Sequence, residues 1–295
     1  MPKTLPQIMA MARPAALPVP ADRKVSALAN GQVLDRWGDE AAGVRAVEKG
    51  DNVITLFDVI GEDYWSDGIT AKSVTRQLRA IGDRPVEVQI NSPGGDMFEG
   101  IAIYNVLREH PQDVTIKIMG MAASAASIIA MAGDRVEIGA ASFLMIHNCW
   151  VLAIGNRQDM AEVSEWLEPF DRAMAEVYAA RSGKTVDECA AWMDAETYMS
   201  GSVALERGFA DALLSSDQVT EDPEARAQDQ RTNHTRAMEL TLVAAGMTRS
   251  QARAHIKELK DTPGADLPAT PGAGAPDGTA WKADAEKLLA RMTAN

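Results

Sequence analysis

The chain has 295 residues and a mass of 31.7 kDa, enough for one large or two small domains and for a substantial core. Hydrophobic residues at 46% and charged residues at 24% match soluble globular proteins, which excludes a fibrous or wholly disordered chain. With 29 basic against 42 acidic residues the net charge is −13, and this argues against nucleic acid or an anionic membrane as main partner, since both are polyanions.

Residues 1–50 contain Pro2, Pro6, Pro14, Pro18 and Pro20 without a sustained period, so they read as a partly disordered N-terminal arm with one short element near 44–47. From Asn52 the texture changes. Residues 53–60 are a β-branched run bounded by Gly50 and Gly61, which predicts a buried strand, and 70–81 carry helical apolar spacing that stops before Gly82. One pattern then occurs twice. Residues 86–90 alternate as a strand, turn at Asn91-Ser92-Pro93-Gly94-Gly95 and enter a helix over 97–109; residues 114–118 alternate again, turn at Gly120 and enter a helix over 124–131. Strand, tight turn and helix repeated in this way imply parallel strands joined by crossovers, an α/β fold.

Residues 135–139 and 142–147 add two strands. A long helix over 158–181 carries Met160, Val163, Leu167, Phe170, Met174 and Val177 as one stripe, which predicts a projecting rod buried against a neighbour. Residues 185–193 form another helix, and Ser200 caps a last one that ends at Gly208. The compact pattern stops near Leu214, placing one domain of catalytic size at 51–214 and an extension at 215–295. Within the extension, 236–260 has an amphipathic helical pattern, 261–280 holds four prolines and four glycines as a linker would, and 281–292 reads as a short terminal helix.

Cys149 and Cys189 have no metal-ligand spacing, so neither a disulfide framework nor a zinc site is expected, and the reading is a reducing, cytoplasmic compartment. The N-terminus does not read as a secretory leader. The longest uncharged stretch, 118–133, is 16 residues and rich in Ala, Gly, Ser and Met, short of the roughly 20 strongly apolar residues that span a bilayer.

Parallel sheets place ligands at the carboxyl ends of their strands. Two turns there are unusual: the Pro93-Gly94-Gly95 turn, whose glycines allow amide N–H groups to point outward, and the run of tiny side chains from Gly120 to Ser127, with Ser124 near a helix start. A serine on a tight strand-to-helix turn, with the next backbone N–H beside it, has the arrangement a nucleophile needs, although a cap or packing role is the commoner use of such a residue. Of four histidines, His110 precedes a proline in a turn and His234 and His255 lie in the extension. His147 alone ends an apolar strand run, on the sheet edge that bears both turns, and is the candidate base.

Ile90-Asn91-Ser92-Pro93-Gly94-Gly95, Gly120-Met121-Ala122-Ala123-Ser124, Phe143-Leu144-Met145-Ile146-His147 and the segment from Tyr198-Met199-Ser200 to Phe209-Ala210-Asp211 together resemble the successive blocks of the Clp peptidase family, over about residues 53–214. The divergent arm and long extension are more similar to the Clp-related head maturation proteases of tailed phages and prophages. The resemblance implies a Clp/crotonase-like fold of repeated ββα units with a projecting long helix. It makes Ser124 the nucleophile, His147 the general base, and the N–H groups of Gly95 and Ala125 the oxyanion donors, with Gly94 supporting the turn at the substrate. The third member falls on Glu196, where the family has aspartate, and Asp194 stays open as an alternative orienter. After the histidine, Asn148-Cys149-Trp150 departs from the family's usual Gln-Pro pair.

The same resemblance implies a heptameric ring, stacked in pairs as a double ring in part of the family, acting on protein substrates without a cofactor. In the phage setting these are capsid or scaffold proteins, met in the bacterial cytoplasm or the procapsid. The apolar Met238, Leu240, Leu242, Val243 and Met247 of the extension then point either to a docking element for such a protein or to a helix packed on its own domain. Other readings are a housekeeping Clp subunit served by an ATP-driven unfoldase, an acyl-CoA enzyme of the crotonase class, and an inactive structural ring. The chain has no phosphate-binding loop of its own.

Overall fold

Alternating apolar positions in β4 (Val86–Ser92) and β5 (Val114–Ala123) make these the central strands of a parallel sheet, with Val88, Ile90, Ile116 and Ile118 buried. The computed structural model describes residues 26–27, 30–46, 50–215 and 219–261. In chain order before the sheet come β1 (Ser26–Ala27), α1 (Gly31–Glu40) and β2 (Val44–Ala46). Then β3 (Val53–Leu56) and α2 (Ala71–Ile81) precede β4, and α3 (Met97–Arg108) connects β4 to β5. After β5 follow α4 (Ala125–Ala130), β6 (Arg135–Gly139), β7 (Phe143–Ile146), β8 (Val151–Leu152), α5 (Arg157–Ser182) and α6 (Val186–Asp194). The chain continues through β9 (Thr197–Ser200), α7 (Gly201–Glu206), β10 (Ala212–Leu214), β11 (Val219–Glu221), α8 (Pro223–Ala244) and α9 (Arg249–Asp261).

The main sheet runs β10-β6-β5-β4-β3, all parallel, with crossover helices packed on it. The mixed α/β architecture expected from the repeated strand, turn and helix is present. One departure from a simple sheet positions everything that follows. β5 is ten residues long and changes partner along its length: Thr115–Ile118 pair with β6, whereas Met121–Ala123 pair in parallel with β7. β7 in turn takes β9 antiparallel, from Phe143↔Ser200 to Ile146↔Thr197. The carboxyl ends of β5 and β7 are therefore adjacent.

Residues 53–60 were expected as one strand, but only 53–56 pair continuously. Ile60 instead makes an isolated parallel bridge to Gly95.

Residues 31–46, read from sequence as part of an arm, are built into the core. Val33, Leu34 and Trp37 of α1 are buried, and Trp37 donates through Nε1 to Asn91 Oδ1 at 2.9 Å. Asn91, on β4, also accepts from Met121 N–H at 3.1 Å and donates to the carbonyls of Ala41 and Val44 at 2.6 and 3.1 Å. One fully satisfied buried amide thus ties the two central strands to the N-terminal helix. The helix is faint in the sequence because Gly31, Gly38 and four charged residues dilute its apolar face. Residues 1–25, which hold the five prolines of the arm, lie outside the described residues.

The extension also packs. Asp222 caps α8 by accepting from Glu224 and Ala225 N–H, and Gly246, at φ 100°, separates α8 from α9 where the sequence suggested one helix. Met238, Leu242 and Val243 of α8 cluster with Ala252 and Ile256 of α9. α8 docks on α1 through Asn233 Nδ2 to the Leu34 carbonyl at 2.8 Å and Arg226 to the Asp39 carbonyl at 2.7 Å. Of the two expectations for this segment, the structure has the helix packed on its own chain. The Pro/Gly-rich 262–280 and the terminal helix expected at 281–292 lie outside the described residues.

The long helix appears as α5, yet Val163, Phe170 and Met174 of its stripe are already buried within the chain, and Phe170 meets Phe98 and Trp166 edge to face. Met160 near its start stays exposed. Among the described residues no helix is long and apolar enough to cross a membrane.

Trp37→Ala is expected to lower unfolding free energy by about 3–5 kcal/mol, because it empties a core site and removes one of the two donors to the buried Asn91 oxygen. Chemical denaturation measures this directly, and a loss under about 1 kcal/mol would mean that α1 is not part of the core.

Candidate active site

Ser124 follows directly on β5, and its N–H donates to the Met145 carbonyl of β7 at 3.0 Å. This bond extends the Ala123↔Met145 register one step and turns the chain sharply into α4. The turn puts Ser124 at φ 54°, ψ −125°; Glu196 is the only other non-glycine residue with positive φ among the described residues. Such a backbone costs on the order of 1–3 kcal/mol and persists only when its surroundings over-determine it. Here they do: Ser127 N–H and Ser127 Oγ both return to the Ser124 carbonyl, and Ser127 Oγ is held at 2.7 Å by the buried Tyr178 hydroxyl of α5.

His147 follows β7 and is 4% exposed. Its Nε2 lies 2.7 Å from Ser124 Oγ. With the imidazole proton on Nδ1, the serine hydroxyl donates to Nε2, the orientation needed for proton transfer away from oxygen. Burial pushes the imidazole down to a pKa of about 4, so it is neutral at physiological pH. The chain just beyond is fastened from α5, where Asp171 Oδ1 accepts from Cys149 N–H at 2.6 Å. Asp171 was not singled out from sequence; its only signal is an acid beside the apolar Phe170 and Met174 of the helix.

Gly94 and Gly95 approach the serine from β4. Both have positive φ, 84° and 149°, and a Cβ on Gly94 would stand 2.7 Å from Ser124 Cβ and 2.9 Å from Ala125 N. A side chain at Gly95 would run into the Ile60 carbonyl. Only glycine fits at either position. Ile60 N–H donates to the Gly94 carbonyl and Asp96 N–H to the Ile60 carbonyl, each at 2.8 Å. In such a parallel bridge Gly95's own N–H and C=O point away from Ile60. Ala125 opens α4, where the first N–H groups have no partner within the helix. The structure thus brings together Ser124, His147, Gly94, Gly95 and Ala125.

The two carboxylates stand differently. Asp194 Oδ1 accepts from Asn148 Nδ2 at 2.8 Å. Glu196 precedes β9, and continuing the Ile146↔Thr197 pairing by one step sets it opposite His147. Burial pushes the Tyr198 hydroxyl up, Arg36 pulls it back and the Glu196 charge pushes it further. Among the described hydrogen bonds neither Asp194 nor Glu196 reaches His147. His110 bonds the Arg84 carbonyl at 2.8 Å, ahead of the amino ends of β4 and β5 and so at the opposite edge of the sheet from this cluster. No group of three His, Cys, Asp or Glu among the described residues is arranged to hold a metal ion.

A family model described as Clp protease matches residues 59–217. A curated relative, the ATP-dependent Clp protease proteolytic subunit 3 of Rhodococcus jostii (strain RHA1), is 33% identical over 136 residues, covering 45% of this chain and 67% of its own. The ATP-dependent Clp protease proteolytic subunit of Bacteroides fragilis is 29% identical over 154 residues, 50% of this chain and 74% of that protein. Subunit 1 of Corynebacterium jeikeium (strain K411) is 31% identical over 135 residues, 45% of this chain and 72% of its own.

The depressed pKa of His147 makes a stability prediction. Between about pH 4 and the ordinary histidine value near 6.5 the unfolded chain binds the extra proton, so stability should rise with pH through that window and be fully present above it. The shift corresponds to on the order of 3 kcal/mol. Denaturant titrations from pH 4 to 7 should show this slope in the wild type and lose it in His147→Gln; equal slopes would mean that His147 is not desolvated.

Proposed function

We propose that this chain, which belongs to the Clp protease family and is a serine-type peptidase, cleaves peptide bonds with Ser124 as nucleophile and His147 as general base. The observation that carries this is the 2.7 Å contact from Ser124 Oγ to a buried, neutral His147 Nε2 at a serine held in strained backbone. Ser124 Oγ attacks the scissile carbonyl carbon as its proton passes to Nε2. The developing oxyanion is met by Gly95 and Ala125 N–H, with Gly94 keeping the turn close. Collapse breaks the C–N bond, and the imidazolium returns its proton to the leaving amine. Water, deprotonated by the same imidazole, then hydrolyses the acyl-enzyme.

Glu196 is the carboxylate we assign to orient the imidazole, since it stands opposite His147 in register while Asp194 is engaged by Asn148. The assembled form is taken to be a ring of seven subunits, either single or stacked in pairs.

We assign its substrates to phage capsid or scaffold proteins cut during head maturation. Support comes from the share of this chain, about half, that aligns with the curated relatives, and from α1 and α8, which lie outside the family match and pack on the peptidase core. The second reading is a proteolytic subunit served by an ATP-driven unfoldase, favoured by the names of those relatives.

Ser124→Ala should abolish peptide hydrolysis, a loss of several orders of magnitude, with the fold intact. Glu196→Gln should lower kcat by at least about tenfold and Asp194→Asn should change it little; the reverse ranking would give the orienting role to Asp194. Assembly is read by sedimentation, where a fully active monomer would defeat the ring. Incubation with a co-expressed capsid or scaffold protein, with and without an unfoldase and ATP, separates the substrate readings: processing without the unfoldase is expected, and dependence on it would favour the second.

A further inference from the structure

Arg236 on α8 lies beyond the segment matched by the family model, yet its guanidinium reaches back to the strand end that supports the glycine turn. The residue is 6% exposed. Nη2 donates to Asp58 Oδ1 at 2.7 Å, to Asp63 Oδ2 at 2.7 Å and to Ser66 Oγ at 2.9 Å; Nε also reaches Asp63 Oδ2, at 2.9 Å. Nη1 reaches Asn233 Oδ1 at 3.2 Å. A buried guanidinium with two carboxylates holds the chain rigidly, because displacing either partner strands a charge in the interior.

Asp58 connects this cluster to the turn by two routes. Its carbonyl accepts from Ser92 Oγ at 2.6 Å, and Ser92 Oγ in turn accepts from Gly94 N–H at 3.1 Å. Its carboxylate also takes Val59 N–H at 2.7 Å, fixing the chain just before Ile60, which carries the 2.8 Å bonds to Gly94 and Asp96. Every hydrogen bond that these residues make to the turn therefore starts from a segment that α8 clamps from outside. Orientation of Gly95 N–H follows from where that segment sits.

We propose that Arg236 is a positioning residue for peptide-bond cleavage: by clamping Asp58 and Asp63 it sets the Ser92–Asp96 turn so that Gly95 N–H faces the developing oxyanion. This rests on the reading of Gly95 as an oxyanion donor. It also makes the C-terminal helix a working part of the peptidase, so that removal of α8 impairs cleavage of even a short peptide. Misalignment of one donor costs less than its deletion, so a loss of about tenfold in kcat is expected rather than the hundredfold or more of a missing donor. Because the donor acts on the transition state, KM should stay within about twofold.

The test uses the full chain and a short fluorogenic peptide. Arg236→Gln should lower kcat about tenfold with little change in KM, and should weaken binding of a peptide boronate, which presents a tetrahedral anion, by a similar factor while leaving product-peptide affinity unchanged. Asp58→Asn keeps an oxygen for Val59 N–H and loses the charge pairing; it should show the same split, and it decides the matter if Arg236→Gln fails to fold. Glu239→Gln is the control on the same helix, since Glu239 bonds Trp65 and Arg253 but not Asp58. A folded Arg236→Gln or Asp58→Asn with wild-type kcat, or an equal kcat loss in Glu239→Gln, overturns the proposal. Ser124→Ala assayed alongside keeps the two readings apart: if it stays active the nucleophile is wrong, whereas an inactive Ser124→Ala beside a fully active Arg236→Gln overturns only the role of Arg236.

Discussion

The rest of the site depends on where β5 stops pairing with β6 and starts pairing with β7. That exchange carries the end of β5 alongside the end of β7, so the residue after one strand, Ser124, comes beside the residue after the other, His147. The Ser124 N–H to Met145 carbonyl bond then forces the serine into positive φ, and the Ser127 and Tyr178 hydroxyls keep it there. Strain of this kind is sustained only by a rigid surround, which the small residues from Gly120 to Ala126 provide by letting α3 and α4 approach: a Cβ on Gly100 would stand 2.9 Å from that of Ala125.

A second layer of order comes from buried polar groups that join segments distant in sequence. Asn91 satisfies its amide with Trp37, Ala41, Val44 and Met121, drawing the N-terminal helix onto the sheet. Arg236 does the same from the other end of the chain, through Asp58 and Asp63. Networks of this type specify one arrangement, because any alternative packing would leave a donor or a charge unpaired in the interior. The peptidase core is accordingly held at both ends, by α1 and α8, which also bond to each other.

Period and turn chemistry made the central sheet legible from residues alone. The β-branched alternation of 86–90 and 114–118, the Pro-Gly-Gly turn and the Ala-rich helix start each have a local cause; Ser124, Gly94, Gly95 and Ala125 sit at those places, and His147 at the end of the apolar run 143–146. What escaped has non-local causes. α1 is stabilised by one tryptophan whose partner lies on β4, and the docking face of α8 is polar: Asn233, Arg236 and Glu239 are buried by pairing with other segments, a pattern that reads as solvated helix in one dimension. The long helix looked unpartnered because Phe98 and Trp166, which cover Phe170, lie outside its apolar stripe. The carboxylate beside His147 was ambiguous for a related reason. Glu196 and Asp194 are two residues apart, and only the antiparallel register of β9 on β7 separates them.

The central claim is that Ser124 is a nucleophile activated by His147, and it is tested most directly by reacting the native full-length protein with a peptidyl phosphonate and mapping the adduct by mass spectrometry. The account predicts a single covalent adduct on Ser124, formed in parallel with loss of peptidase activity and absent in His147→Gln. An adduct on another serine that accompanies inactivation, or equal labelling of Ser124 without His147, would contradict it.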